Sequence, residues 1–415
     1  MSCLYYRDHQ LYMEQVSLAD LAQQYGTPCY VYSKEAIVNN FRAFTEAFAD
    51  TPCKICYAVK SNSNVAILQL LANLGAGFDI VSIGELKRVI VAGGNIKNVI
   101  FSGVGKSRHD ILEAMQLGIF CFNVESEPEL QRIAALAAKL NKTVDIMLRI
   151  NPDVDAKTHS YISTGMRHNK FGMELIDIIP LFTKIAELPS LRLIGVGSHI
   201  GSQITELEPF LLAMDHLLAI YITLKEQGIH IQFINIGGGL GITYRDETPP
   251  TVKEYAHALL KKLGSTPLQL IIEPGRSIVG NAGILLTKIE YIKNTADKNF
   301  AITDAGMNDL LRPALYNAWQ NIMPVAEHLG PMQNYDIAGP VCESADFLGK
   351  DRKLAIAADE LLAIDCAGAY GFCMSSNYNS RCRPAEILVS GHQSFVIRRR
   401  ETIEDAISLE QLVAE

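Results

Sequence analysis

Along the first two thirds of the chain, short apolar runs ending in small, polar or charged residues alternate with longer stretches of helical periodicity. The runs Ile55–Lys60, Gly77–Ser82, Val99–Gly103, Phe120–Ser126, Val144–Asn151, Leu193–Ser202, Phe233–Gly239 and Leu270–Arg276 read as strands. Between them Ser63–Leu74, Gly84–Ala92, His109–Leu117, Glu127–Leu140, Leu175–Leu188, Glu206–Gln227 and Thr251–Leu263 read as helices. Strands that are apolar throughout, joined by helices, indicate a parallel sheet covered on its faces. Eight strand–helix units in roughly 220 residues fit a closed (β/α)₈ barrel better than an open doubly wound sheet.

The pattern changes near Gly280. Gly283–Ile292, Asn299–Asp304, Tyr335–Ala338, Leu361–Ile364, Ala385–Ser390 and Gln393–Arg398 are strand-like and separated by turns, and helical periodicity returns only at Thr402–Val413. The expected fold class is therefore α/β: a TIM-type barrel over residues 28–280, with a second, mostly β domain of sandwich or Greek-key-barrel type formed by residues 1–27 and 281–415.

Composition narrows the class. Of 415 residues, 48% are apolar and 20% charged, which suits a globular chain with a large core and excludes a disordered one. The formal charge of −8 argues against a nucleic-acid partner. The longest apolar stretch, Phe210–Leu224, is interrupted by Asp215 and His216 and is too short and polar to span a bilayer. With no secretory pattern at the N-terminus, a cytoplasmic location is expected. Nine scattered cysteines do not form a disulfide framework, and the single pair Cys53 and Cys56 lacks the second pair or nearby histidines of a zinc site, so no metal is expected.

In such a barrel the C-terminal ends of the strands line the active site. Those ends read Tyr57-Ala-Val-Lys60, His199-Ile-Gly-Ser202, Gly237-Gly238-Gly239 and Glu273-Pro-Gly275-Arg276. Singly, a surface lysine, a core histidine or a glycine run means little. A lysine, a histidine, a glycine loop and a Glu/Arg pair on one rim match the needs of pyridoxal phosphate. The lysine holds its aldehyde as a Schiff base, backbone N–H groups cradle its phosphate, an acid keeps its ring nitrogen protonated and a flat side chain stacks on the ring.

Tyr57-Ala-Val-Lys60-Ser-Asn, His199-Ile-Gly-Ser202, the glycine triplet and Glu273-Pro-Gly-Arg276 resemble the alanine-racemase-fold, group IV pyridoxal-phosphate decarboxylases. The later motifs are similar to those of the diaminopimelate decarboxylases within that group. These are Thr303-Asp-Ala-Gly-Met-Asn-Asp-Leu-Leu-Arg312-Pro-Ala-Leu-Tyr316, Gly339-Pro-Val-Cys342-Glu343-Ser-Ala-Asp346 and Ala367-Gly-Ala-Tyr370, together with the opening Tyr25-Gly-Thr-Pro-Cys-Tyr-Val-Tyr-Ser33. The resemblance implies decarboxylation of meso-2,6-diaminopimelate to L-lysine, the last step of lysine biosynthesis. By position it implies Lys60 as the Schiff-base lysine, His199 stacked on the ring, and Ser202, Gly237–Gly239, Gly275 and Arg276 at the phosphate. It likewise implies that Glu273 meets the ring nitrogen, that Arg276, Arg312 and Tyr316 bind substrate, Glu343 the distal ammonium and Tyr370 both cofactor and substrate, and that Cys342 supplies the proton that replaces carbon dioxide. It further implies a homodimer in which Cys342 and Glu343 reach the partner's site.

The residues themselves favour decarboxylation over racemisation, because an acid at the ring nitrogen strengthens the electron sink. An arginine facing the distal end of the substrate disfavours the sister reading, a decarboxylase of basic amino acids or carboxynorspermidine. Retention of Lys60, the glycine loop, Glu273 and Cys342 disfavours a catalytically silent binding homologue. The loop Ser163–Phe171 is basic and is either solvated or a cover for the site.

Overall fold

The structure, a computed structural model, describes residues 3–155, 164, 170–327 and 330–413. Two compact units emerge: residues 40–243 with 247–277, and residues 1–39 with 244–246 and 278–415.

The first unit is a closed parallel barrel of eight strands, Cys53–Ala58, Gly77–Ile80, Val99–Phe101, Cys121–Val124, Val144–Arg149, Leu191–Gly197, Phe233–Asn235 and Gln269–Ile272. All eight lie within two residues of their expected starts. The last strand closes on the first, pairing Ile272 with Ile55. Every expected helix is present, and several are started or stopped by local chemistry. Ser107 and Asp110 form a capping box ahead of the helix Arg108–Leu117, which Gly118 ends in the left-handed conformation at φ 73°. Thr251 and Glu254 do the same ahead of Val252–Leu263. Inside the barrel, Cys56, Ile100, Cys121, Met147, Ile194, Phe233 and Ile271 pack as one buried cluster. The barrel is therefore filled, and chemistry is confined to its rim. Cys53 and Cys56 lie within the first strand, where burial pushes both thiols up, Cys53 to about 12, and makes them poor ligands.

The second unit is built on a branched nine-stranded sheet. Its central strand is Gly283–Asn294. Cys29–Ser33 and Leu361–Ile364 flank the first half of that strand, and Asn299–Thr303 pairs antiparallel with the second half. Gln333–Ala338 and Phe347–Leu354 extend the sheet on one side, Ala385–Ser390 and Gln393–Arg398 on the other. A small antiparallel sheet, Leu4–Arg7, Gln10–Met13 and Val16–Ser17, and the helix Leu18–Tyr25 cover it. Leu11, Met13, Leu18 and Leu21 bury against Val31, Ile284, Leu286 and Ile387.

Two expectations are corrected. The barrel does not begin at residue 28: Cys29–Ser33 is buried at all five positions and pairs on both edges within the second sheet. An apolar run with no exposed face is a central strand of whichever sheet has two edges to offer, and pattern alone does not say which. The C-terminal helix covers Ile403–Ile407 only, and Leu409, Leu412 and Val413 beyond it are almost fully exposed. A periodic stretch whose apolar face finds no surface to bury against does not hold its helix. The Ser163–Phe171 loop falls outside the described residues except for Thr164, Lys170 and Phe171.

Candidate active site

The first barrel strand runs into a single 3₁₀ turn, Val59–Ser61, that carries Lys60 onto the rim. The turn is fixed by Ser61 Oγ donating to Ala58 O at 2.7 Å, and Ala58 N donates to Pro274 O at 3.0 Å, which ties the two ends of the barrel seam. Lys60 Nζ lies 2.5 Å from Oδ2 of Asp79, a fully buried carboxylate on the neighbouring strand.

His199 follows the sixth strand and is half-buried. Its Nδ1 accepts the Gly238 N–H at 3.0 Å, which leaves Nε2 as the protonated nitrogen of a neutral ring. Burial, then the charges of Arg149 and Lys60, hold its pKa well below the usual imidazole range. A ring that stays neutral and flat is suited to stacking. Asn235, at the end of the seventh strand, binds two partners at once. Its Nδ2 donates to Glu273 Oε1 at 2.6 Å and its Oδ1 accepts the Gly237 N–H at 2.8 Å. Glu273 is buried, and burial together with the charge of Asp79 pushes its pKa up, against the pull of Lys60 and of the Asn235 bond. Arg276 is buried and donates from Nη2 to Ser202 Oγ at 3.0 Å.

The glycine loop needs glycine for close approach as well as for conformation. Gly237 and Gly239 have φ of +68° and +118°, and a Cβ on Gly238 would stand 2.2 Å from Glu273 O. Gly275 is also closely approached, since a Cβ there would stand 3.0 Å from Ser61 Oγ. A tight glycine cradle, a rim lysine, a neutral flat imidazole and a buried carboxyl on one barrel end fit pyridoxal phosphate in size, charge and chemistry.

In the second unit the short helix Arg312–Tyr316 carries two expected substrate residues one turn apart. Arg312 is buried with its guanidinium 4.5 Å from the centre of the Tyr244 ring. Cys342 and Glu343 are exposed on a loop that Asp346 closes by accepting from Val341 N at 2.6 Å, and Asp346 also accepts from Met307 N on a separate segment at 2.6 Å. Cys342 N donates to Asn379 Oδ1 at 2.7 Å, and Tyr378 donates to Glu343 at 3.3 Å. Tyr370 sits at φ +54°, a left-handed conformation that residues other than glycine adopt uncommonly.

Several residues that shape the rim were not among those singled out in the sequence: Asp79, Asn235, and a buried charged network. In that network Lys106 Nζ bonds Glu129 at 2.6 Å and Glu125 accepts from Arg149 at 2.9 Å, while Arg149 reaches the His199 carbonyl at 3.4 Å. The signal available for them was a charge inside or just after an apolar strand run, which a parallel sheet buries and must pair.

A filled barrel whose rim carries this set defines an enzyme of the pyridoxal-phosphate class, and residues 34–280 match the family described as pyridoxal-dependent decarboxylase, pyridoxal binding domain. The similarity extends over the whole chain. It is 54% identical to the diaminopimelate decarboxylase of Vibrio cholerae, over 99% of both chains, and 51% identical to that of Pseudomonas aeruginosa, over the full length of both. The crystal structure of diaminopimelate decarboxylase from M. jannaschii in co-complex with L-lysine superposes with a TM-score of 0.94 at 38% identity, covering 100% of this chain and 99% of that one. The chain belongs to the diaminopimelate decarboxylase family.

Proposed function

We propose that the protein removes the carboxylate at the D-configured centre of meso-2,6-diaminopimelate, releasing carbon dioxide and L-lysine. When bound, pyridoxal phosphate supplies the sink for the electron pair that remains on Cα as the carboxylate leaves. The observation that carries the reaction type is the buried Glu273, held by Asn235, an acid suited to keeping a proton on the ring nitrogen.

The remaining roles follow from the residues. Lys60 would hold the cofactor through its amine, with Asp79 as the acceptor for its ammonium when the amine is free. His199 stacks on the ring as a neutral imidazole. Ser202, Gly237–Gly239, Gly275 and Arg276 hold the phosphate. Arg276, Arg312 and Tyr316 receive substrate, the two guanidinium forks being matched to carboxylates. Glu343 pairs with the distal ammonium and Tyr370 contacts cofactor and substrate. The Cys342 thiol gives its proton to Cα and recovers one from water. Exposure of Cys342 and Glu343 on a braced loop supports a homodimer in which each chain lends this loop to its partner.

No helix among the described residues is long and apolar enough to cross a membrane, and all nine cysteines are unpaired, which supports action in the reducing cytoplasm.

The test is carbon dioxide release from meso-diaminopimelate, L-ornithine, L-arginine and L-lysine by the cofactor-loaded protein. Release from diaminopimelate alone is expected. Preference for ornithine or arginine would overturn the substrate, and release from none would overturn the reaction.

A further inference from the structure

A pocket lies in the sheet unit, lined in part by the helix Arg312–Tyr316 and by none of the residues assigned a role above. It encloses about 260 Å³ and is lined by Pro313, Ala314, Trp319, Phe347, Lys350 and Arg352, among others. Its chemistry is set by Arg352. The side chain is only 8% exposed, yet among the described residues it makes no hydrogen bond and no ion pair, and its Nε is a buried donor without an acceptor. Its guanidinium lies 4.3 Å from the centre of the Trp319 ring, and Arg245 approaches the same ring at 5.7 Å. It also lies against Gly349, where a Cβ would stand 2.6 Å from Nε. Burial, and then the charge of Arg245, pull its pKa down to about 10, so it remains cationic at neutral pH. Lys350, exposed 4.4 Å from the centre of the Phe347 ring, makes no close salt bridge among the described residues, and its charge acts on Asp336 only at longer range. Of the acids in this unit, Asp336 is paired with Lys298 at 2.7 Å and Asp246 with Arg245 at 3.1 Å, while Asp351, between Lys350 and Arg352 in sequence, is exposed to solvent.

A buried guanidinium without a counter-charge is costly, and such groups are normally paired. Here the missing partner is an anion, and the cavity has room for a small one. We propose that this pocket binds a small oxyanion, a phosphate or a compact dicarboxylate, gripped by the planar fork of Arg352 and the point charge of Lys350. The volume lies just below the usual range for drug-sized ligands, about 300–1,000 Å³, and suits a small one. The two cations that line the pocket, Arg352 and Lys350, also reject an ammonium-bearing ligand such as lysine.

Trp319 is the only tryptophan of the chain and forms a wall of the pocket, so its emission reports occupancy. The protein is loaded with pyridoxal phosphate, which fills the cofactor's own phosphate cradle. It is then titrated with inorganic phosphate, malonate and L-lysine against sodium chloride at matched ionic strength. A saturable change in emission with phosphate or malonate, half-complete at about 1 mM or below, is expected, with none for lysine. Arg352→Gln should weaken it at least tenfold and Lys350→Gln, an exposed change that leaves folding intact, several-fold. A response no different from chloride, or one that neither variant weakens, would overturn the proposal. So would an unresponsive protein whose dimer dissociates more readily with Arg352→Gln in sedimentation, since the guanidinium would then serve a second copy of the chain.

Discussion

Glu273 is a carboxyl that the fold holds above its ordinary pKa, through burial first and the charge of Asp79 second. A raised folded-state value means the native state prefers the proton. That contribution to stability is complete below the ordinary carboxyl range and is lost as pH rises through the raised value. In the cofactor-free protein, Glu273→Gln should therefore flatten the fall in unfolding free energy above about pH 4.5, read from urea melts at several pH values. A wild-type slope in the variant would assign the effect elsewhere. The same variant, with cofactor bound, should lose about 10²–10³-fold in kcat, the scale seen when one preorganised electrostatic group is removed. Gly238→Ala places a Cβ 2.2 Å from Glu273 O and should weaken cofactor binding by about 1–3 kcal/mol, measured by titration of the visible absorbance. At this scale, Lys60, His199, the glycine triplet and Glu273 were legible because strand ends mark the rim. Asp79 and Asn235 were not, because one polar residue inside an apolar strand looks like part of the sheet until its partner across the barrel is known.

Between the third, fourth and fifth barrel strands, paired charges replace apolar packing at the rim. Lys106 is wholly buried and bonds Gly103 O, Asn123 O and Glu129, while Glu125 takes Gly103 N and Arg149. Lys106→Met leaves Glu129 buried without its cation and should cost about 3–5 kcal/mol of stability, seen as a lower urea midpoint. The double change Lys106→Met with Glu129→Gln should recover part of that loss, and equal destabilisation in both would contradict the pairing. The barrel elements were readable because parallel strands and their covering helices have distinct periods. The strand Phe347–Leu354 was not, because it lies at a sheet edge and carries Lys350, Asp351, Arg352 and Lys353. Edge strands with charged positions lack the apolar run that marks a strand. The tail was over-read for the converse reason: periodicity is a necessary feature of a packed helix and does not supply the surface it packs on.

For the whole molecule, the proposed exchange of the Cys342 loop between copies makes a quantitative prediction. Lys60→Ala and Cys342→Ala proteins, each inactive alone, should regain about a quarter of wild-type activity when dissociated, mixed and reassembled, because a two-fold dimer of one of each holds one intact site. No recovery would mean that each chain supplies its own thiol. How the copies meet was not legible from periodicity, since burial between chains and burial within one leave the same trace in a sequence; the expectation rests on the family resemblance. The central claim, that this rim decarboxylates diaminopimelate through Lys60, is tested most directly by following lysine and carbon dioxide together. Wild-type protein and Lys60→Ala are each given pyridoxal phosphate and meso-diaminopimelate. One lysine per carbon dioxide from the wild type and neither product from the variant is the predicted result. Lysine from the variant at the wild-type rate, or from neither protein, would contradict it.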